Sequence, residues 1–480
     1  MLSAVDRSFS LILFGASGHL ARIKIFPALY FLALKKRLPE QYTIMGYSRT
    51  PMTDTAFRAF VADAIREHVL EVNAGVLESL LAHVHYTAGQ YDKTEDFEVL
   101  NTKLDQLEGG SESVRLAYLS IPPTVFRATV ENLCKGGIHR KGKPFRCIME
   151  KPLGHDRATC DEILKTLSSC FTSEETYILD HYLGKEAVRN VYYLRHANPV
   201  IERLLSRSMI SHVQIVASES AGLEGRAGYF DAVGTLRDMF QSHLLQITAL
   251  LTMPLVHDGR TLSLMRRAAL AELMVPDLPL SDVIIQGQYD GGLMNGTSVP
   301  AYRDEDGVSK GSRTCTYAAL KIETALEKFH GVPFYLRSGK RMKNKETRIS
   351  IEFQSSVVMP KDPMNQNRLD IILQGEAGMK FYLQTKLGGS EPKFRPLIME
   401  DPLVCMGDCL VEHSLLLLEA IHGLQDWFLT PEEVERCWDL IDPLQAYLDR
   451  PETPLSLYAP GSQGPAEADA FIQRDGHRWF

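Results

Sequence analysis

The sequence lacks two features that would place the protein in a membrane or on nucleic acid. No apolar run reaches the roughly 18 to 20 residues that a membrane-spanning helix needs. Basic residues are not in excess, because 52 lysines and arginines stand against 60 aspartates and glutamates. Nucleic-acid backbones attract strongly basic surfaces. We therefore expect a soluble cytoplasmic protein with no membrane and no nucleic acid among its partners.

The sequence also lacks the cysteine pattern of a zinc site. None of its eight cysteines forms a CxxC pair. Cys405 and Cys409 lie close together, but the second pair that a zinc site requires is missing. We expect reduced thiols, as is usual in the cytosol, and no bound metal.

The 480 residues exceed one ordinary domain and predict two or three. Up to residue 180, apolar runs alternate with helix-compatible stretches and predict a parallel sheet covered by helices; these runs are 8–14, 42–47, 114–121, 145–149 and 177–179. Later runs have fewer helices between them; these are 213–217, 283–289, 318–323, 348–353 and 369–374. The predicted fold is an α/β Rossmann-type domain, 1–180, followed by an α+β domain, 181–480, with a large, mostly antiparallel sheet. A late helix is predicted from Pro431 to Ala446.

The first predicted strand ends in the turn Gly15-Ala16-Ser17-Gly18, which lacks the usual G-x-G-x-x-G spacing. Such glycines let the backbone approach a pyrophosphate, although a turn without a ligand is the alternative. The second strand lacks the acidic residue with which NAD enzymes hold the adenosine ribose, and Arg49 stands there instead. A guanidinium pairs well with a 2′-phosphate. This favours NADP over NAD, with a solvated Arg49 as the alternative.

Two segments concentrate reactive polar groups: EKPLG (150–154) and DHYLGKE (180–186). The second begins where a strand ends, and strand ends are where doubly wound sheets bind ligands. Oxidation of a hydroxyl needs a base for its proton, a task that suits histidine, and a carboxylate that orients the base. His243 lies on a predicted buried helix and is either such a base or an ordinary core histidine.

Eight segments follow one another along the chain: GASGHLARIKIFPALY, GYSRT, SIPPTVF, EKPLG, DHYLGKE, LEGRAGYFDAVGTLRDMFQSHLLQ, VPFYLRSGKRMKNKE and YAPGSQGPAEAD. Together they resemble the signature segments of the glucose-6-phosphate dehydrogenase family. The resemblance spans residues 10–350 and a region near the end, but little of it lies in 353–407. It implies oxidation of glucose 6-phosphate to 6-phospho-glucono-1,5-lactone with reduction of NADP+, the entry step of the oxidative pentose phosphate pathway.

The resemblance also implies site residues, position by position. His243 would be the general base, and Asp180 the carboxylate that orients it. The implied substrate-binding residues are His181, Tyr182 and Lys185 at the phosphate, with Lys151, Glu219, Asp238, Lys340 and Lys345. The implied cofactor-binding residues are Gly15, Ala16, Ser17, Gly18, Lys24, Arg49, Pro122 and Lys151. A solvated helix lysine is the alternative for Lys24.

Family members pair through the large sheet, which implies a homodimer or homotetramer. Two positions depart from the family pattern, since His19 replaces an aspartate and Phe126 replaces a common tyrosine. Several alternatives stay open: use of NAD, a second structural NADP site, another sugar substrate, or a catalytically silent binding protein with the same fold.

Overall fold

The computed structural model describes residues 4–110, 112–255, 262–355, 367–391 and 393–480. Within these ranges the chain forms two compact units. Unit 1 comprises Met1–Glu186 and Cys405–Pro431, and unit 2 comprises Ala187–Val404 and Glu432–Phe480. Compactness alone does not define a functional domain, so the boundary expected at residue 180 stays a prediction. Among the described residues, no helix is both long and apolar enough to span a bilayer.

The described strands of unit 1 are β1 (Phe9–Phe14), β2 (Tyr42–Ser48), β3 (Val84–Ala88), β4 (Val114–Leu119), β5 (Phe145–Glu150) and β6 (Thr176–Leu179). Those of unit 2 are β7 (Ile210–Ser218), β8 (Leu273–Met274), β9 (Ile284–Tyr289), β10 (Gly292–Met294), β11 (Thr297–Val299), β12 (Tyr317–Thr324), β13 (Phe334–Gly339), β14 (Glu346–Phe353), β15 (Arg368–Gln374), β16 (Gly378–Lys386), β17 (Phe394–Pro402) and β18 (Ser456–Tyr458). All the strands predicted from sequence are present.

The described α-helices are α1 (Phe26–Leu34), α2 (Asp54–His68), α3 (Ala74–Ala82), α4 (Thr94–Glu108), α5 (Pro123–Lys135), α6 (Arg157–Ser168), α7 (Glu186–Ala197), α8 (Pro199–Leu204), α9 (Ala227–Thr235), α10 (Leu245–Thr252), α11 (Leu262–Ala271), α12 (Leu280–Val283), α13 (Glu412–His422), α14 (Pro431–Leu448) and α15 (Ala466–Gln473). Two π-helical segments, Ala21–Ile25 and Leu236–Leu244, and a 3₁₀ turn, His181–Gly184, bear on the site. The predicted late helix is confirmed as α14.

Unit 1 is built on a six-stranded parallel sheet in the order β3-β2-β1-β4-β5-β6. Nearly all of its strand residues are buried, as expected when helices cover both faces of a parallel sheet. This is the order of the doubly wound dinucleotide fold, so the predicted fold class is confirmed. Ligands of such sheets bind beyond the carboxyl ends of the strands, where the order reverses between β1 and β4.

The segment Cys405–Pro431 belongs to unit 1, although it follows most of unit 2 in the chain. The hydroxyl of Ser414 on α13 donates to the carbonyl oxygen of Ala28 on α1 at 3.0 Å. The Arg146 guanidinium on β5 donates to the carbonyl oxygen of Ala420 at 2.6 Å, near the end of α13. These contacts make α13 an integral part of the dinucleotide fold.

The expectation of reduced thiols is wrong for Cys405 and Cys409, which form a disulfide. The short turn between them brings their Cα atoms to 5.9 Å, within the range that a disulfide spans. Within unit 1, the same turn forms an ion pair with the amino-terminal part of the chain, between Asp408 and Arg37. The disulfide between these two cysteines, four residues apart, therefore closes a short loop covalently, which the lack of a zinc-site pattern does not predict.

Unit 2 is built on a ten-stranded sheet in the order β17-β16-β15-β14-β7-β13-β12-β9-β18, with β8 beside β12. The neighbouring strands are antiparallel except for β7 with β13 and β9 with β18. The prediction of a mostly antiparallel sheet is therefore confirmed. Because β7 and β13 run parallel and in register, Glu219 and Lys340, the residues after them, lie at the same edge of the sheet.

Candidate functional site

The turn after β1 depends on Gly15, whose φ of +80° lies in the left-handed region that favours glycine. A Cβ atom at this position would lie only 2.0 Å from the carbonyl oxygen of Ser120. The turn is closed by the Gly18 N–H, which donates to the carbonyl oxygen of Gly15 at 2.8 Å, and Ala16 is buried beneath it. A helix begins directly afterwards, so its unpaired N–H groups lie beside the turn. This compact cradle fits a pyrophosphate.

Arg49 follows β2 and exposes its side chain. Its guanidinium carbon lies 6.0 Å from the ring centre of Tyr91, which is buried. Burial raises the pKa of the Tyr91 hydroxyl, and the charge of Arg49 partly offsets this effect. The hydroxyls of Ser17 and Ser48 lie 3.0 Å apart and join the glycine turn to the end of β2. The region beyond the ends of β1 and β2 therefore offers a cation and hydroxyl groups to a ligand.

Lys24 lies on the π-helical segment Ala21–Ile25, and its Nζ is 3.3 Å from Oε1 of Glu412 on α13. Burial by itself would raise the pKa of Glu412, but a backbone hydrogen bond and Lys24 lower it overall. The carboxylate is thus ionised at neutral pH and holds the lysine. Lys24 is therefore an exposed lysine that is ion-paired with Glu412, and its role at the cofactor stays a prediction.

Pro122 and Lys151 follow β4 and β5 at the carboxyl edge of the sheet of unit 1. Pro122 is exposed and directly precedes α5. Lys151 is half-buried, its backbone N–H donates to Leu179 at 3.3 Å, and the Lys151–Pro152 peptide bond is cis. Both residues therefore lie where this fold binds its ligands.

Asp180 directly follows β6 and is completely buried. Its Oδ1 accepts the backbone N–H of Tyr182 at 2.9 Å and so caps the 3₁₀ turn His181–Gly184. The Nζ of Lys185 lies 3.6 Å from the ring centre of Tyr182, a cation–π contact. The His181 ring packs edge-on against Tyr182 at 5.0 Å. The structure thus brings all four predicted residues of this segment together.

His243 lies on the π-helical segment Leu236–Leu244 of unit 2 and is 2% exposed. Gly234, with φ +70° and ψ 168°, interrupts the helical backbone of α9 two residues before this segment begins. Such π-helical geometry is rare and often occurs at functional sites. The burial of His243 is compatible with both alternatives, a core histidine and a base in a closed site, and does not distinguish between them.

Lys340 is 5% exposed and forms an ion pair with Glu219 across the ends of β13 and β7. Its Nζ also lies 4.9 Å from the ring centre of Phe230. Lys340 and Asp238 line one small pocket, together with Leu223, Arg226, Tyr229 and Phe230. Lys345 is exposed on the turn before β14 and is not among these lining residues. Unit 2 therefore brings together Glu219, Asp238 and Lys340, but not Lys345.

Several partners of the predicted site residues could not be predicted from the sequence around those residues. Glu412 pairs with Lys24 across 388 positions of sequence, and no local pattern signals this contact. Tyr91 likewise lies far in sequence from Arg49. Arg226 and Phe230 belong to the segment LEGRAGYFDAV, which the analysis had singled out without assigning them a role. These residues shape the site through long-range packing.

Comparison with known proteins accounts for nearly the whole chain. Residues 12–190 match the family described as glucose-6-phosphate dehydrogenase, NAD binding domain, and residues 192–480 match its C-terminal domain. The chain is 33% identical to glucose-6-phosphate 1-dehydrogenase of Chlamydia muridarum, over 98% of this chain and 96% of that protein. It resembles a solved glucose-6-phosphate dehydrogenase in complex with its substrate glucose-6-phosphate, with TM-score 0.91, 28% identity and full coverage of both chains. A second solved structure, of glucose-6-phosphate 1-dehydrogenase from Mycobacterium avium, matches with TM-score 0.84 and 28% identity over 98% of this chain and 99% of that one.

Proposed function

Because the chain belongs to the glucose-6-phosphate dehydrogenase family, we propose roles for its residues in the reaction of that family. The protein oxidises the anomeric carbon of glucose 6-phosphate to 6-phospho-glucono-1,5-lactone and reduces NADP+. The observation that carries the residue assignment is Asp180, a fully buried carboxylate at the carboxyl end of β6. Burying a carboxylate costs free energy unless it is paired or hydrogen-bonded. The position of Asp180 at the carboxyl edge of the sheet of unit 1 therefore favours a role in the active site.

His243 is the general base, and Asp180 is the carboxylate that orients it. A ring nitrogen of His243 accepts the proton of the anomeric hydroxyl while the C1–H bond breaks and the C1=O bond forms. Bound NADP+ supplies the acceptor for the hydride. In this mechanism the role of Asp180 is to fix the tautomer of His243 and to stabilise its imidazolium, as the carboxylate of a catalytic triad does. The burial of both side chains supports this role, because a water-poor environment strengthens such an interaction.

The phosphate of the substrate binds to His181, Tyr182 and Lys185. The contact between Lys185 and the Tyr182 ring supports this assignment, since it holds a cation and a hydroxyl side by side before ligand binding. A dianionic phosphate accepts several charge-assisted hydrogen bonds, each worth roughly 1.5 to 3 kcal/mol.

The sugar hydroxyls bind to the carboxylates and lysines of unit 2, namely Glu219, Asp238, Lys340 and Lys345, and to Lys151 of unit 1. The ion pair of Lys340 with Glu219 presents a donor and an acceptor together, as a hydroxyl requires. Of this set, Lys345 has the least structural support, because it does not line the pocket that contains Lys340.

NADP binds along the carboxyl edge of the sheet of unit 1, at Gly15, Ala16, Ser17, Gly18, Lys24, Arg49, Pro122 and Lys151. The turn at Gly15 can pack against the carbonyl oxygen of Ser120 only because Gly15 lacks a Cβ atom. Arg49 selects the 2′-phosphate. We expect Arg49→Ala to lower the ratio of kcat/KM for NADP+ over NAD+ by about 10- to 100-fold, the loss of one charge-assisted contact. An unchanged ratio would remove Arg49 from this role.

The test of the base is His243→Asn, assayed by the absorbance of NADPH with glucose 6-phosphate and NADP+. Loss of a general base typically costs about 10² to 10⁴ in rate, and we expect kcat to fall by that factor while substrate binding remains measurable. His212→Asn is the matched control, because His212 is a buried histidine of unit 2 outside the proposed site. Turnover of His243→Asn similar to that of this control would refute the assignment.

The protein forms a homodimer or homotetramer in the cytoplasm. Exposed apolar side chains on the outer strand β17 support self-association, namely Leu397, Ile398 and Met399. Ile398→Lys should shift the mass in analytical ultracentrifugation toward the monomer, whereas Leu293→Lys, at an exposed apolar position on β10, should not. A wild-type protein that sediments as a monomer would refute self-association, and cell fractionation tests the location.

A further inference from the structure

In unit 1, outside the proposed substrate and cofactor sites, a thiol contacts an imidazole, and that imidazole contacts a carboxylate. Cys134 lies in the last turn of α5, and its Sγ is 3.7 Å from Nδ1 of His139. The Nε2 of His139 is 3.1 Å from Oε1 of Glu175. The second oxygen of Glu175 accepts the backbone N–H of Thr172 at 2.9 Å, which holds the carboxylate in place. A nucleophile beside a base that a third group orients is the arrangement that activates thiols.

This cluster lies at the amino edge of the sheet, opposite the cofactor cleft. The helix α5 starts at the carboxyl end of β4 and leads to the amino end of β5, so Cys134, in its last turn, lies at the amino edge. The reaction with glucose 6-phosphate therefore makes no use of it.

A second thiol completes the cluster. The Cys134 thiol donates to the carbonyl oxygen of Cys170 at 3.8 Å, and the Cys170 thiol donates to Val130, one helical turn before Cys134, at 3.5 Å. Both cysteines are half-buried, so a molecule as small as peroxide can reach them. Cys147 lies close by on β5 but is completely buried.

We propose that Cys134 and Cys170 are a redox-active pair that hydrogen peroxide oxidises to a disulfide, with His139 as the base for Cys134. His139 takes the thiol proton, and the thiolate attacks one peroxide oxygen. The S–O bond forms, the O–O bond breaks, and the leaving hydroxide takes the proton from His139 to become water. Cys170 then attacks the sulfenic sulfur; the S–S bond forms, the S–O bond breaks, and the leaving hydroxide takes the proton of the Cys170 thiol to become a second water. Two thiols are oxidised and one peroxide is reduced to two waters.

His139 is needed because the thiol is a weak acid in this place. Burial raises the pKa of Cys134, and the neighbouring Cys170 and Glu175 raise it further. Without a local base, little thiolate forms at neutral pH, and the thiolate is the species that reacts. Glu175 stabilises the protonated imidazole that results, as the carboxylate does in other base-activated nucleophiles.

The test treats the full-length protein, freshly reduced and freed of reductant, with hydrogen peroxide. Remaining thiols are blocked with an alkylating reagent, and the peptides are identified by mass spectrometry. We expect a linked peptide that joins Cys134 to Cys170. His139→Gln and Glu175→Gln should each slow its formation by roughly tenfold or more, as expected for loss or misorientation of a base. Cys315→Ala, at a buried cysteine of unit 2, should leave the rate unchanged.

Three outcomes would overturn the proposal. Cys134 and Cys170 could remain unlinked at a peroxide concentration that oxidises other thiols of the protein. Cys134 could become linked to Cys147 instead, which would show that Cys147 and not Cys170 is its disulfide partner. Rates in His139→Gln and Glu175→Gln equal to that of the wild type would show that the imidazole does not act as a base; circular dichroism of both variants verifies that they are folded.

Discussion

Gly15→Ala and Gly110→Ala form a matched pair that isolates the close approach of backbone at the cofactor turn. Both glycines have a φ of +80°, so alanine at either position carries the same left-handed penalty of about 1–2 kcal/mol. At Gly110 nothing lies within 4 Å of the added Cβ, whereas at Gly15 it meets the carbonyl oxygen of Ser120 at 2.0 Å. Real Cβ atoms essentially never lie closer than 3.0 Å, so the turn has to move. Overpacking of this kind costs about 1–3 kcal/mol more.

Urea unfolding and NADP+ titration measure the two consequences separately. We expect Gly110→Ala to lose about 1–2 kcal/mol of unfolding free energy and to keep its affinity for NADP+. Gly15→Ala should lose about 2–5 kcal/mol and should bind NADP+ at least tenfold more weakly, because the displaced turn no longer fits the pyrophosphate. Equal affinities for the two variants would refute the cradle at Gly15.

Three further predictions concern other parts of the molecule. Lys185→Ala should raise the KM for glucose 6-phosphate by about 10- to 100-fold, the loss of one charge-assisted contact, and an unchanged KM in steady-state assays would remove it from the phosphate site. Glu433→Ala should cost about 3–5 kcal/mol in urea unfolding, because it leaves the fully buried Arg266 without the carboxylate 2.7 Å away; a loss below about 1 kcal/mol would contradict this. Burial raises the pKa of Glu352 to about 7, so ionising it in the folded state costs stability as pH rises from about 4.5 to 7. Glu352→Gln should therefore be neutral near pH 4 and stabilising by up to about 3 kcal/mol at pH 8 in thermal unfolding, and an effect independent of pH would refute the reasoning.

Local patterns were sufficient to predict most of the fold. The strands β1 and β4 are apolar except for one residue each, Ser10 and Arg115, so the sequence alone predicts that they are buried. By contrast, β3 alternates apolar side chains with His85 and Thr87, and the run is too short to stand out. Tertiary pairing with β2 makes it a strand.

The candidate site was predictable where its residues are neighbours in sequence and less so where they are not. Asp180, His181, Tyr182 and Lys185 fall in one string, and the structure brings them together as predicted. The ion pair of Lys340 with Glu219 depends on the parallel pairing of β13 with β7, across 121 residues, which no local pattern reveals.

The return of Cys405–Pro431 to unit 1 has a consequence for biosynthesis. A ribosome releases the chain from its amino end, yet the dinucleotide fold is incomplete until α13 has been made. At about 5–20 residues per second, synthesis from residue 186 to residue 431 takes roughly 12–50 s. During that interval the surface of α1 that later receives Ser414 is uncovered, and a nascent-chain chaperone has its best opportunity to bind there.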